Sequence, residues 1–223
     1  MQSFSNIKKI LIFTAFIKSV FACLFNIAYC IDGSGSITYE NPTGYDDEKN
    51  FLVDYNNQIT KSSEESFLKT MAEGFAETFV DYFDYNDFDE LSQVNDALLK
   101  IEPPSKTGET KIGGCMNKVY TNNRPNDLAT VLLVVTDGNP FKDTYDVKEM
   151  SATMRSDNFF IQAAGFNDIN YDILNEITGD QDMIIYSKNV TDLDKKIKQL
   201  TDDICKKSLI DKIFFVKLLS QHI

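Results

Sequence analysis

The chain has 223 residues, 43% of them hydrophobic, with 22 Lys and Arg against 34 Asp and Glu and a formal charge of −12. That acidity excludes nucleic acid as a partner, because phosphate binding needs an excess of cationic side chains to release counterions, and the apolar share excludes global disorder. The one histidine is His222, next to the C-terminus, so a Ser-His-Asp or Cys-His apparatus and a His-rich metal site are excluded too. Any metal must be held by oxygen.

The N-terminus reads as a secretory signal peptide over 1–22. Lys8 and Lys9 precede the apolar run Ile10 to Ile17, and Val20-Phe21-Ala22 supplies the small residues of a cleavage site. Cleavage after Ala22 removes three lysines and no acid, taking the formal charge from −12 to −15. The apolar run is far shorter than the ~18 residues a membrane span requires.

Leu24 to Ile31 is a short apolar run closed by Asp32-Gly33-Ser34-Gly35-Ser36, the pattern of a buried strand. Phe51, Tyr55 and Ile59 recur every fourth residue, which predicts a helix over 47–59. Phe67 to Met71 and Phe79 to Phe83 are weaker strand candidates. Phe88, Leu91, Val94, Leu98 and Ile101 trace one helical face, stopped by Pro103-Pro104.

A Gly-rich loop, Thr107 to Gly114, leads to a short helix ending near Tyr120. Val131 to Val135 is the clearest buried strand and runs into Thr136-Asp137-Gly138. Val147, Met150 and Met154 mark a helix, Phe159 to Ala164 a strand, Tyr171 to Ile177 a helix, and Met183 to Tyr186 a short strand. Leu193, Ile197, Leu200 and Ile204 form the face of a last helix, with Thr191 and Asp194 resembling a capping box. Alternating strands and helices predict one α/β domain over 23–205, a doubly wound, mostly parallel sheet with helices on both faces.

Residues 206–223 form a C-terminal tail broken by Lys212 and Lys217, too short and too charged to span a membrane. Cys23 and Cys205 stand at the two ends of the domain, where a disulfide would clasp it in an oxidising compartment. Cys30 and Cys115 either pair or are both small buried core residues; the sequence slightly favours the second. Asn189-Val190-Thr191 is a glycosylation sequon. The run Asp81, Asp84, Asp87, Asp89 and Glu90 reads as a solvated acidic face, and Arg124-Pro125 as structural punctuation.

Functional crevices in open α/β sheets lie at the carboxyl ends of the strands. Asp32, Ser34 and Ser36 follow the first strand, Thr110 stands in the Gly-rich loop, and Asp137 follows the central strand. Two carboxylates and three hydroxyls make a hard, all-oxygen donor set suited to Mg²⁺ or Mn²⁺. Two Asp only just balance a +2 ion, so an open position on it would draw an incoming carboxylate. The two glycines lack the third of a dinucleotide fingerprint, and no phosphate-loop lysine follows them. Asp137 as a phosphoryl-transfer nucleophile has no general acid beside it.

The string IDGSGSI after a strand, Thr110 within GETKIGG, and VVTDG together resemble the von Willebrand factor type A domain and its metal-ion-dependent adhesion site, the DxSxS…T…D pattern. The resemblance runs from Cys23 to Cys205, including the Gly165-Phe166 pair after the fifth strand and the terminal cysteines. It implies that Ser34, Ser36 and Thr110 bind the ion through hydroxyls, that Asp32 and Asp137 act directly or through water, and that a Glu or Asp of a partner completes the shell. The expected function is a secreted, non-enzymatic adhesion or ligand-binding module whose protein partner belongs to the extracellular matrix or a cell surface. The alternatives are a Mg²⁺-dependent hydrolase on the same site, with Glu109 as its acid or base, and a structural domain with an idle metal site. The sequence departs from the family's pattern in two places: residues 66–83 lack a clean second strand, and acidic Glu109 precedes the metal threonine.

Overall fold

A computed structural model describes residues 25–38, 43–62, 69–122, 124–137, 143–166, 170–186, 195–203 and 206. The predicted signal peptide, the Cys23–Cys205 disulfide, the sequon at Asn189, the Thr191/Asp194 cap and the tail beyond Lys206 lie outside the described residues.

The elements run β1 (Asn26–Asp32), α1 (Gly35–Thr38), α2 (Gly44–Ser62), β2 (Thr70–Phe75), β3 (Phe79–Phe83), α3 (Leu91–Leu98), α4 (Ile112–Thr121), β4 (Thr130–Thr136), α5 (Val147–Ser156), β5 (Phe159–Gly165), α6 (Tyr171–Thr178), a 3₁₀ turn (Gln181–Met183) and β6 (Ile184–Tyr186). Residues 195–203 are also helical. One six-stranded sheet has the order β3-β2-β1-β4-β5-β6, with every pair parallel except β2 with β3. The predicted doubly wound α/β architecture is the one observed.

β1 and β4 are buried along their whole length because side chains of alternating parity enter opposite cores. Ile27, Tyr29, Ile31, Val131, Leu133 and Val135 face a core shared with Leu52, Tyr55, Val94, Leu98, Ile197 and Leu200. Ala28, Cys30, Leu132 and Val134 face the other, shared with Ile112, Met116, Met154, Leu174 and Ile177.

Several boundaries differ from expectation. The second strand is not at 67–71 but at Thr70–Phe75, where Glu73 and Gly74 interrupt any apolar run. Glu73 is buried there because Lys118 Nζ donates to its Oε2 at 3.0 Å and also pairs with Asp81 on β3. Helix α3 starts at Leu91, after Phe88, since Gln93 Oε1 accepts from the backbone N–H groups of Asp89 (3.1 Å) and Glu90 (3.2 Å) and fixes the first turn. Gly113 and Gly114, assigned to a loop, are inside α4. A Cβ on Gly113 would stand 2.4 Å from the Tyr145 carbonyl oxygen, and one on Gly114 2.4 Å from Phe79 Cζ. These glycines serve close packing.

Arg124 pins its loop through Asp157, at 2.8 Å to the carboxylate and 3.1 Å to the carbonyl, consistent with a structural role. No helix among the described residues is long and apolar enough to cross a membrane.

Candidate metal centre

Parallel pairing of β1 with β4, in a register that aligns Ile31 with Val135, brings the ends of the two strands side by side. Asp32, the last residue of β1, and Asp137, the first after β4, are both buried at that edge. Thr136 Oγ1 donates to Asp32 Oδ2 at 2.6 Å, while the backbone N–H of Ser34 donates to Asp32 Oδ1 at 2.8 Å. The carboxylate is thereby held from two sides by neutral donors.

The chain then turns into α1. Ser34 Oγ and Ser36 Oγ stand 3.2 Å apart, and the Ser34 carbonyl accepts from the backbone N–H and hydroxyl of Thr38. Both serine hydroxyls thus sit in one short, internally bonded loop. Gly33 donates its N–H to the Phe75 carbonyl at 2.8 Å, and a Cβ added to it would lie 2.3 Å from Pro104 Cδ. The segment carrying Thr110 is in this way pressed directly onto the Asp32 loop. Thr110 itself is buried, two residues before α4 begins.

The third tie is covalent. Cys30, two residues before Asp32, is bonded to Cys115, five residues after Thr110, and both are fully buried. This corrects the expectation that the two are separate core cysteines. Parity on β1 sends Cys30 into the same core as α4, and burial alone would have looked the same for a free pair.

Asp32, Ser34 and Ser36 are therefore joined by hydrogen bonds at one end of the sheet, Asp137 follows the neighbouring strand at the same end, and Pro104 and the disulfide tie the stretch of chain on either side of Thr110 to β1 and its loop. Burial pushes the Asp32 carboxyl up to about 7, against the lowering effect of the Thr136 hydroxyl, with the charge of Asp137 adding to the rise. Among the described residues no three His, Cys, Asp or Glu side chains stand together as a ready-made metal cluster. A cation held here would need the hydroxyls as well. Such a donor set, two crowded carboxylates with neutral oxygens, fits a hard divalent ion.

Two residues of this region escaped the sequence reading. Thr136 lies inside the VVTDG string, and its neighbour Asp137 drew the attention. Glu48, on α2, is fully buried and neither of its carboxyl oxygens has a hydrogen-bond partner; burial holds this carboxyl well above the usual carboxylate range, with the charges of Asp32 and Asp137 adding to the rise. Its signal was present: Tyr45, Glu48, Leu52, Tyr55 and Ile59 form one buried stripe at spacings of three and four.

Glu109 is not a free acid at the rim. Its Oε2 is 3.1 Å from Lys111 Nζ, which compensates the charge the sequence placed beside Thr110.

A family model of the von Willebrand factor type A domain matches residues 26–203. The chain belongs to that family. No curated protein matches the sequence. Among solved structures, this type A domain is similar to proximal thread matrix protein 1 from the mussel byssus, with a TM-score of 0.69 and 20% identity over 81% of this chain and 47% of that one. A form of that mussel protein with a zinc-occupied MIDAS motif gives a TM-score of 0.67 at 22% identity, over 83% and 47%. Manganese-loaded TRAP protein of Plasmodium vivax gives 0.60 at 18% identity, over 78% and 73%. The type A domain spans about half the length of the mussel protein.

Proposed function

We propose that this chain is a secreted or extracellular adhesion or ligand-binding module. It holds Mg²⁺ or Mn²⁺ at Asp32, Ser34, Ser36, Thr110 and Asp137, and binds a protein whose Asp or Glu completes the metal shell. The partner is a matrix or cell-surface protein, and the module carries out no reaction. The observation that carries this reading is the linked Asp32–Ser34–Ser36 loop set beside Asp137, a buried oxygen site rich in neutral hydroxyls. Neutral ligands leave the ion's charge only just balanced, which favours an external carboxylate as the next ligand.

The zinc and manganese forms of the mussel and Plasmodium proteins support a divalent ion at this place. The Cys30–Cys115 disulfide supports an oxidising compartment. Engagement of Glu109 by Lys111 weighs against a hydrolase, which would need that carboxylate free to move a proton.

The test is capture of matrix and cell-surface proteins from an extracellular extract by the immobilised chain, with Mg²⁺, with EDTA, and with Asp137→Ala. Binding should be lost with EDTA and in the variant. Binding indifferent to both would overturn the reading.

A further inference from the structure

Tyr82 lies on β3, the edge strand of the sheet, at an irregular position. Ala72 aligns with Phe83 and Glu73 with Asp81, so Tyr82 is an extra residue in the ladder, a β-bulge. Bulges re-aim side chains and gather at sheet edges beside functional sites. Alternation along a regular strand sends consecutive residues to opposite faces, yet Tyr82 and Phe83 both pack on the core that holds Leu52 and Leu98. The Tyr82 ring reaches β2 at Gly74, where any Cβ would collide with its hydroxyl and ring edge. Gly74 is paired with Ile31, the residue before Asp32.

The hydroxyl so aimed has two partners. It donates to the Glu102 carbonyl at 2.7 Å, and with its one proton spent there it accepts from the Tyr45 hydroxyl at 2.6 Å. Tyr45 Oη is itself 3.5 Å from that carbonyl. Helix α2, strand β3 and the segment after α3 thus meet at the Glu102 oxygen. Two residues on, Pro104 is buried against Gly33, which stands between Asp32 and Ser34. On its other side Gly33 donates to the carbonyl of Phe75, the neighbour of Gly74. The Asp32 loop is enclosed between β2 and the two prolines, and Tyr82 fixes the proline wall.

Resting on the cation centre proposed above, we propose that Tyr82 is a positioning residue of that centre. Through the Glu102 carbonyl it holds Pro103-Pro104 on the Asp32-Gly33-Ser34 loop, and so sets the places of Asp32 and Ser34 before an ion arrives. Its hydroxyl is engaged by Glu102 and Tyr45, so it acts on the loop and not as a ligand. Tyr45 is secondary in this arrangement, because Tyr82 keeps the short bond to Glu102 without it.

The test is calorimetric titration of the full chain with Mg²⁺. Tyr82→Phe keeps the ring and removes the donor, and should weaken Mg²⁺ about fivefold, the worth of one hydrogen bond. Tyr45→Phe breaks the same tyrosine pair, with a comparable fall in melting temperature, yet should stay within about twofold of wild type because Tyr82 still holds Glu102. Gly74→Ala keeps the hydroxyl but displaces it, and should repeat the loss seen in Tyr82→Phe. Binding to Tyr82→Phe should also carry a more negative heat-capacity change than binding to wild type, because the prolines then settle on the loop only when the ion binds. Equal losses in Tyr82→Phe and Tyr45→Phe, affinity unchanged in both Tyr82→Phe and Gly74→Ala, or unfolding of Tyr82→Phe would overturn the proposal. Asp137→Ala separates the two readings. A wild-type chain that binds no Mg²⁺ overturns the cation centre and this role with it, whereas binding lost in Asp137→Ala but indifferent to Tyr82→Phe overturns the role of Tyr82 alone.

Discussion

Cys30 is bonded to Cys115, so the strand that ends in Asp32 and the helix that follows Thr110 are one covalent unit. The bond closes 85 residues of chain. Replacing both cysteines with alanine should cost about 2–5 kcal/mol, since loop-closure entropy returns to the unfolded chain. Urea unfolding of oxidised wild type against the double variant measures it. The same variant should weaken Mg²⁺ binding, because the covalent tie between the strand that ends in Asp32 and the helix that follows Thr110 would be gone.

Thr136→Val removes the hydroxyl that donates to Asp32 Oδ2 and keeps the side chain's shape. A buried carboxylate then loses one of its two neutral donors, at a cost of about 1–3 kcal/mol. The melting temperature without metal should fall, and added Mg²⁺ should restore less of it than in wild type. A variant as stable as wild type would show that the hydroxyl is dispensable.

Gly33→Ala places a methyl group 2.3 Å from Pro104 Cδ, inside any tolerable contact. The Pro103-Pro104 segment must then move away from the Asp32 loop. Overpacking of this kind costs about 1–3 kcal/mol, and a weaker cation site should accompany it. Titration with Mg²⁺ followed by calorimetry checks both the affinity and the heat.

Glu73 gives a pH dependence. Burial pushes its carboxyl up to about 8, with the Asp81 carboxylate adding to the rise and Lys118 opposing it. An acid with a raised folded pKa holds its proton more tightly when folded, so its contribution to stability is present below its ordinary value and falls as pH rises through about 8. Glu73→Gln should flatten that fall. At pH 9 the variant should be more stable than wild type by on the order of 1 kcal/mol, seen as a rise of about 2–4 °C in melting temperature. A wild-type melting profile level between pH 5 and pH 9 would contradict it.

Glu109→Gln tests the catalytic alternative. With Glu109 engaged by Lys111, the variant should change Mg²⁺ affinity less than about twofold, as expected of a half-exposed ion pair. Turnover of phosphate or peptide substrates by wild type that vanishes in the variant would reverse the non-enzymatic reading.

The order of elements could be read from the chain because it rests on local pattern, and so could the placing of Asp32 at the end of β1, with Ser34 and Ser36 just after it, and of Asp137 just after β4. β4 is an unbroken Val- and Leu-rich run, and the DGSGS string is contiguous. What could not be read depends on contacts between distant residues. The second strand contains Glu73 and Gly74, acceptable in a sheet only because Lys118, 45 positions along the chain, reaches the carboxylate. The Cys30–Cys115 bond needs both the strand parity of Cys30 and the approach of α4, neither of which a spacing in sequence reveals. Glu48 sits on a helix that the spacing of Phe51, Tyr55 and Ile59 predicted correctly, and nothing in that spacing marks a charge one turn earlier as buried.

Pro104 on Gly33 and the disulfide below it have a kinetic meaning as well. The Asp32 loop and the Thr110 segment meet when the domain folds, so these two pieces need no ordering when an ion arrives. Metal uptake by this pair of segments should carry little heat-capacity change, with its rate set by shedding of the ion's own water. An ion that exchanges water slowly, such as Mg²⁺, should load more slowly than Mn²⁺ into the same preformed cradle.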